Sequence, residues 1–313
     1  MRFNTTAIRK LSIKLVFALL CLHPALRMQA QQPSPVSRIF PEGTKTYANI
    51  PYEADTLQKH LLDIYVPANA SKPVPLVVWI HGGAWMLNDK YADMGYMKET
   101  IKAMLDNGFA LASIDYRHST TAVFPAQYLD CKAAISFLYA NAKKYGLDKS
   151  KIAVMGFSAG GHLASLVGLK ANNDQAKPAY RIKAVVDFYG PSDFIALATS
   201  PDTAINNPRN PVSILLGAMS IDRPDLAAAA SPVTYIDAND PPFFIVHGEK
   251  DESVPVTQSQ LLSSWMKLKG VKNELLIVPG APHYGEMFDA AWIRSKLISF
   301  LNANLKDVYR KGP

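Results

Sequence analysis

Lys151-Ile152-Ala153-Val154-Met155-Gly156-Phe157-Ser158-Ala159-Gly160-Gly161-His162-Leu163-Ala164 decides how the rest of this chain is read. An apolar run stops at Gly156, and a helix of small residues begins at about Ser158. A serine between two glycines at a strand-to-helix junction sits on a sharp turn with its hydroxyl pushed out of the sheet edge, because a Cβ at either glycine would strike neighbouring backbone. Gly161 adds room for the helix to approach the sheet. The alternative is a tight turn in a sugar- or nucleotide-binding protein, and only a base and an acid further along the chain distinguish the two.

Working outward, apolar runs alternate with helical patterns. Pro75 to Trp85, Phe109 to Arg117, Ile152 to Met155, Ile182 to Phe188, Pro242 to Gly248 and Asn273 to Val278 read as strands, most of them apolar without alternation. Continuous hydrophobicity signals burial on both faces of a parallel sheet. Leu61 to Val66 and a polar piece ending at Ile50 read as strands towards one edge. Helices are expected over Tyr91 to Asn107, Ala126 to Tyr145, Ser158 to Gly168, Val256 to Lys269, and from Glu286 or Phe288 to Leu305. The repeat of strand, helix and strand predicts an α/β fold with helices on both faces. Between Tyr189 and Ser231 the pattern changes, with Pro191, Pro201, Pro208, Pro211 and Pro224 punctuating short amphipathic pieces. This stretch, about 190–231, is expected to form a lid insertion over the carboxyl edge of the sheet.

The N-terminus reads differently. Arg2, Arg9, Lys10 and Lys14 precede the short apolar run Leu15 to Leu22, and a polar, proline-rich stretch follows, so residues 1–30 are expected to be a secretory signal peptide. Leu20 before Cys21 is a poor match to a lipoprotein signal. This leaves 31–313 as a single domain, exported to the periplasm or the medium, monomeric or homodimeric, with no membrane contact once the leader is removed. The leader holds five of the 33 Lys and Arg residues and none of the 26 Asp and Glu residues, so the remainder carries a formal charge of +2. Neither that charge nor any basic-aromatic run points to nucleic acid. Cys131 alone remains after processing, which excludes an internal disulfide and a cysteine-rich metal site.

A serine hydroxyl needs an imidazole to take its proton, and the imidazole needs a carboxylate to fix its tautomer. His283 stands on the loop after the last strand, at the sheet edge that also carries Ser158. His60 reads as a surface residue, His118 as a polar loop residue, and His162 and His247 as structural. Asp251, in the loop after the preceding strand, is the favoured acid, with Glu249, Glu252 and Asp187 as competitors. Negative charge on a carbonyl oxygen also needs donors. Those expected are the N–H of Ala159, at the start of the helix, and those of Gly83 and Ala84 in His81-Gly82-Gly83-Ala84-Trp85. Trp85 and Met86 are expected to wall the substrate pocket.

Together with Asp115-Tyr116-Arg117, Ser231-Pro232-Val233 and the loop from Gly248 to Pro255, these motifs resemble the alpha/beta-hydrolase superfamily. Within it the chain is similar to the hormone-sensitive-lipase-like carboxylesterases, and more closely to the bacterial feruloyl or acetyl-xylan esterase-like (BD-FAE type) esterases, from Leu61 to the C-terminus. The resemblance implies an eight-stranded, mostly parallel sheet, no cofactor, and Ser158, Asp251 and His283 as nucleophile, acid and base. It further implies an acyl-enzyme mechanism on a small ester or acylated carbohydrate, with removal of acetyl or feruloyl-type groups. Ala84 departs from the pattern, since many relatives carry a third glycine there. A serine peptidase, or a formamidase or lactonase, would use the same residues. A carbohydrate-binding protein without activity is the alternative of another class.

Overall fold

The computed structural model describes residues 36–170, 178–199 and 207–306; the expected leader lies outside them. Eight strands form one sheet: β1 (Lys45–Pro51), β2 (Leu61–Val66), β3 (Val74–Ile80), β4 (Ala110–Ile114), β5 (Leu147–Phe157), β6 (Ile182–Phe188), β7 (Phe243–Gly248) and β8 (Asn273–Val278), in the order β1-β2-β4-β3-β5-β6-β7-β8. β2 pairs antiparallel with both β1 and β4, and every pair from β4 to β8 is parallel. The six parallel strands therefore deliver their following loops to one edge.

Successive side chains of a strand point to opposite faces, and the two cores follow that alternation. Leu76, Val78 and Ile80 of β3 join the core beneath α2 (Ala126–Ala140), α4 (Ala159–Lys170) and α8 (Thr257–Leu268). Val77 and Trp79 join the opposite core beneath α1 (Lys98–Asp106) and α9 (Ala291–Leu305). Burying each such aliphatic or aromatic side chain contributes about 1.5–3 kcal/mol, which explains how a sheet this large holds without a disulfide.

Two expected helices are altered. The helix expected from Tyr91 begins only at Lys98. Its first seven residues form turns: the Tyr91 and Ala92 N–H groups fold back onto Asp89, and Asp93 sits at φ 68°, a left-handed position that no helix accommodates. Met94 and Met97 nonetheless reach the core. The helix expected over Ala126 to Tyr145 breaks at Asn141, leaving α3 (Ala142–Tyr145), which Gly146 ends at φ 70°. Near the C-terminus a 3-10 turn, Glu286–Asp289, precedes α9.

Between β6 and β7 the described residues form α5 (Phe194–Thr199), α6 (Pro211–Leu216) and α7 (Pro224–Ala230). Asn210 caps α6 by accepting the Val212 N–H, with Pro211 as its first residue. Residues 200–206 of the expected lid lie outside the described residues.

Candidate active site

Ser158 occupies the turn between β5 and α4 at φ 52°. A left-handed serine costs conformational energy, and hydrogen bonds on both sides hold it there. Its N–H donates to the Phe188 carbonyl (2.8 Å), and its carbonyl accepts the His162 N–H (3.0 Å). Close packing fixes the turn as well: a Cβ on Gly160 would stand 2.0 Å from the Ile80 carbonyl oxygen. Ser158 Oγ lies 2.8 Å from His283 Nε2, and His283 Nδ1 lies 2.6 Å from Asp251 Oδ2. The three residues selected from sequence, from the loops after β5, β7 and β8, thus form one hydrogen-bonded line.

The loops after β7 and β8 are tied together. The Glu249 and Lys250 N–H groups donate to the Val278 and Ala281 carbonyls. Glu249, a competitor for the role of acid, instead accepts the Gly280 N–H (2.8 Å). Asp187 is buried and accepts from Ser165 Oγ and the Gly190 N–H, and Glu252 is exposed. Asp251 Oδ1 accepts the N–H groups of Ser253 and Val254. Burial pushes the Asp251 carboxyl upward, but the hydrogen bonds from His247 and His283 outweigh it and hold the group well below the usual carboxylate range. It is ionised wherever the imidazole needs it.

The loop after β3 holds two of the N–H groups expected as donors. In a trans peptide the C=O and N–H point in opposite directions, so capturing one aims the other. The Gly82 carbonyl accepts from His81 Nδ1 (2.7 Å) and Asn88 Nδ2 (3.3 Å), and the Gly83 carbonyl accepts the Met86 and Leu87 N–H groups. The N–H groups of Gly83 and Ala84 are thereby turned the other way, and both residues line the cavity that holds Ser158. Neither they nor the Ala159 N–H engage another hydrogen bond among the described residues. Ala159 opens α4, where N–H groups lack intrahelical partners and the helix dipole favours an anion. Ala84 and Trp85 stand at φ 52° and 60°, which accounts for a preference for glycine at the first of them.

The cavity measures about 720 Å³. Trp85 lines it as expected, and its Nε1 donates to His162 Nδ1 (3.2 Å). Met86 does not line it. The two left-handed residues turn the chain back onto the Gly83 carbonyl, and Leu87 and Asn88 face the space instead. From the segment between β6 and β7, Leu197, Asn210 and Val212 contribute. His162 is structural, but it packs towards that segment rather than into the sheet, with Nε2 2.7 Å from the Ala230 carbonyl and its ring stacked on Phe194. His60, expected at the surface, is buried against Asp55.

One wall was missed in the sequence. Asp93 Oδ2 accepts the Gly82 N–H (2.7 Å), and Oδ1 accepts the Tyr96 hydroxyl (2.6 Å). With its one hydrogen committed, Tyr96 accepts from Tyr189 (2.8 Å), whose ring centroid lies 4.9 Å from that of His283. Burial pushes the Asp93 carboxyl upward despite the Gly82 hydrogen bond. The signal that could have found it is Gly95, which interrupts the helical pattern two residues on.

A sheet of this order, with a serine on the turn after β5 and its partners on the loops after β7 and β8, is the α/β-hydrolase fold. The BD-FAE family model matches residues 62–266, and the chain belongs to that family. Among curated proteins it is similar to Esterase LipQ of Mycobacterium tuberculosis, 30% identical over 260 residues, which covers 80% of this chain and 60% of that one. Esterase LipC of the same organism is 34% identical over 242 residues, 74% of this chain and 58% of that one. The chain thus spans less than two thirds of the length of these relatives. A solved structure titled as a truncated form of a carbohydrate esterase from gut microbiota superposes with a TM-score of 0.77 at 30% identity, covering 85% of this chain and 99% of that one. A bifunctional GH43-CE protein of Bacteroides eggerthii superposes at 0.75 and 37% identity, covering 83% of this chain and 35% of that one.

Proposed function

We propose that the chain is a serine carboxylic ester hydrolase working through an acyl-enzyme. The observation that carries the reading is the line from Ser158 Oγ through His283 to Asp251, at 2.8 and 2.6 Å. In the first half-reaction Ser158 Oγ attacks the ester carbonyl carbon while its proton passes to His283 Nε2. The carbonyl π pair moves to oxygen, where the Gly83, Ala84 and Ala159 N–H groups meet the charge. Collapse expels the alkoxide, which takes the proton from His283. Water then repeats the sequence on the acyl-serine, releasing the acid and free Ser158. Asp251 keeps the hydrogen of His283 on Nδ1, so that Nε2 faces the serine as acceptor.

The substrate class proposed is an acetyl or feruloyl-type ester on plant polysaccharide or a small alcohol. A cavity of about 720 Å³ accommodates a small acylated unit. Tyr96 and Tyr284, with ring centroids 6.3 Å apart, offer aromatic faces, and Tyr284 stands exposed at the rim. Structural neighbours titled as carbohydrate esterases favour the same direction. The segment about 190–231 acts in this reading as the lid that sets acyl size, and residues 1–30 as a cleaved export signal, which N-terminal sequencing of the secreted protein would test.

Hydrolysis of p-nitrophenyl acetate and methyl ferulate is expected from the wild type and is expected to be absent from Ser158→Ala, at unchanged thermal stability; turnover retained by the variant would overturn the assignment. An imidazole base works only when neutral, so kcat/KM is expected to fall on the acid side. A flat profile down to pH 4 would exclude a histidine base.

A further inference from the structure

His247, near the end of β7, has no proton to move in the cycle above, yet it is fully buried and both its nitrogens are engaged. Nδ1 lies 2.7 Å from Ser259 Oγ on α8. Nε2 lies 2.8 Å from the Val254 carbonyl oxygen and 3.1 Å from Asp251 Oδ2. A carbonyl and a carboxylate only accept, so Nε2 carries the hydrogen and divides it between the two. In the neutral ring Nδ1 is then the acceptor, and the Ser259 hydroxyl donates to it.

Asp251 Oδ2 therefore serves two imidazoles, His283 at 2.6 Å and His247 at 3.1 Å, while Oδ1 is saturated by two backbone N–H groups. Four donors fix the plane of the carboxylate and spread its charge. The charged and titratable groups facing this cluster come from every packed element. They are Asp187 on β6, Tyr189 just beyond it with its ring 6.5 Å from that of His247, His283 after β8, and Asp93 after β3. None of these bonds to His247, whose partners are Ser259, Val254 and Asp251.

The geometry points to His247 as a positioning residue for the acid of the triad. It orients Asp251 Oδ2 towards His283 Nδ1 and, by competing for that oxygen, limits how strongly Asp251 stabilises the imidazolium. A donor withdrawn from Oδ2 concentrates charge there, and a more concentrated charge favours the protonated form of His283. Loss of His247 therefore moves the acid limb of kcat/KM upward in pH, and the carboxylate, freed to rotate, misplaces the base.

Because this presupposes ester hydrolysis through Ser158, the wild type is first assayed on p-nitrophenyl acetate. His247→Leu is expected to raise the acid-limb midpoint by about half a pH unit and to lower kcat about tenfold. His247→Gln, whose amide can donate from the Nε2 position, is expected to keep the midpoint of the wild type. A Leu variant that is less stable but has an unmoved midpoint would overturn the proposal, since a purely structural residue gives that result. Where the Leu variant does not fold, 15N NMR of histidine-labelled wild type decides. An Nε2–H tautomer for His247 is expected, and an Nδ1–H tautomer would overturn the proposal. Absence of any ester turnover by the wild type would remove the hydrolase reading instead, and the tautomer measurement would still decide whether His247 donates to Asp251.

Discussion

Asp93 shows how much one side chain can organise at the residue scale. The Gly82 N–H would point at nothing without it, and the peptide that follows carries the Gly83 donor. Asp93→Ala leaves that N–H and the Tyr96 hydroxyl without their acceptor, so the loop loosens at the Gly83 N–H that the proposed mechanism assigns to the oxyanion. Removing an oxyanion donor outright costs about 10²–10³ in kcat, and loosening one should cost less. The expectation is a fall in kcat of roughly tenfold with KM little changed. Asp93→Asn retains an oxygen for Gly82 and should recover most of the loss. Michaelis kinetics of the two variants on p-nitrophenyl acetate make the check, and equal losses in both would remove the anchoring role.

Elements, rather than single residues, explain what the sequence revealed and what it hid. β6 and β8 were legible to the residue for different reasons: β6 is buried on both faces but for Lys183 and reads as a mostly apolar run, whereas β8, half-buried at the edge of the sheet, shows as the run Leu275 to Val278 stopped by Pro279 and Gly280. Ser158, Asp251 and His283 were legible because parallel topology sends every loop after a strand to the same edge. The turns at Tyr91 to Met97 were not, since Met94 and Met97 keep helical spacing although a left-handed Asp93 lies beside them. His247 was hidden for a related reason: a buried histidine at a strand end reads as core until the loop after it is seen to fold back over it. α4 gives the prediction that belongs to this scale. A methyl group on Gly160 has to displace the helix from the β3 carbonyl it now touches. Overpacking of this kind costs about 1–3 kcal/mol. Gly160→Ala should lower the Tm by several degrees and lower activity further than stability accounts for, because α4 begins directly after Ser158 and opens with Ala159, whose N–H the proposed mechanism assigns to the oxyanion. Calorimetry beside a turnover assay tests it, and a variant with unchanged Tm would contradict the close contact.

At the scale of the molecule, two buried histidines join parts that lie far apart in the chain. His162 links α4 to Trp85 of the β3 loop, to Ala230 of α7 and to Phe194 of α5, and His81 stacks on Tyr116 while donating to Gly82. Burial lowers their pKa values to about 4 and about 3 respectively, more than their backbone hydrogen bonds raise them. In the unfolded chain both titrate near 6.5. Between about pH 6.5 and 4 the unfolded state therefore binds protons that the native state refuses, and stability must fall as the pH is lowered through that window, by up to about 1.4 kcal/mol per pH unit for each histidine. Asp187 opposes this, since burial raises its carboxyl and favours the native state as the pH falls towards the ordinary carboxylate range. A difference between two proteins isolates one histidine from that background. His162→Gln keeps polar contacts to Trp85 and Ala230 but cannot titrate, so it should be less stable than the wild type at pH 7.5 and lose less stability between pH 6.5 and 4.5. Urea unfolding at three pH values measures both. Parallel curves for the two proteins would show that His162 is not held neutral in the fold.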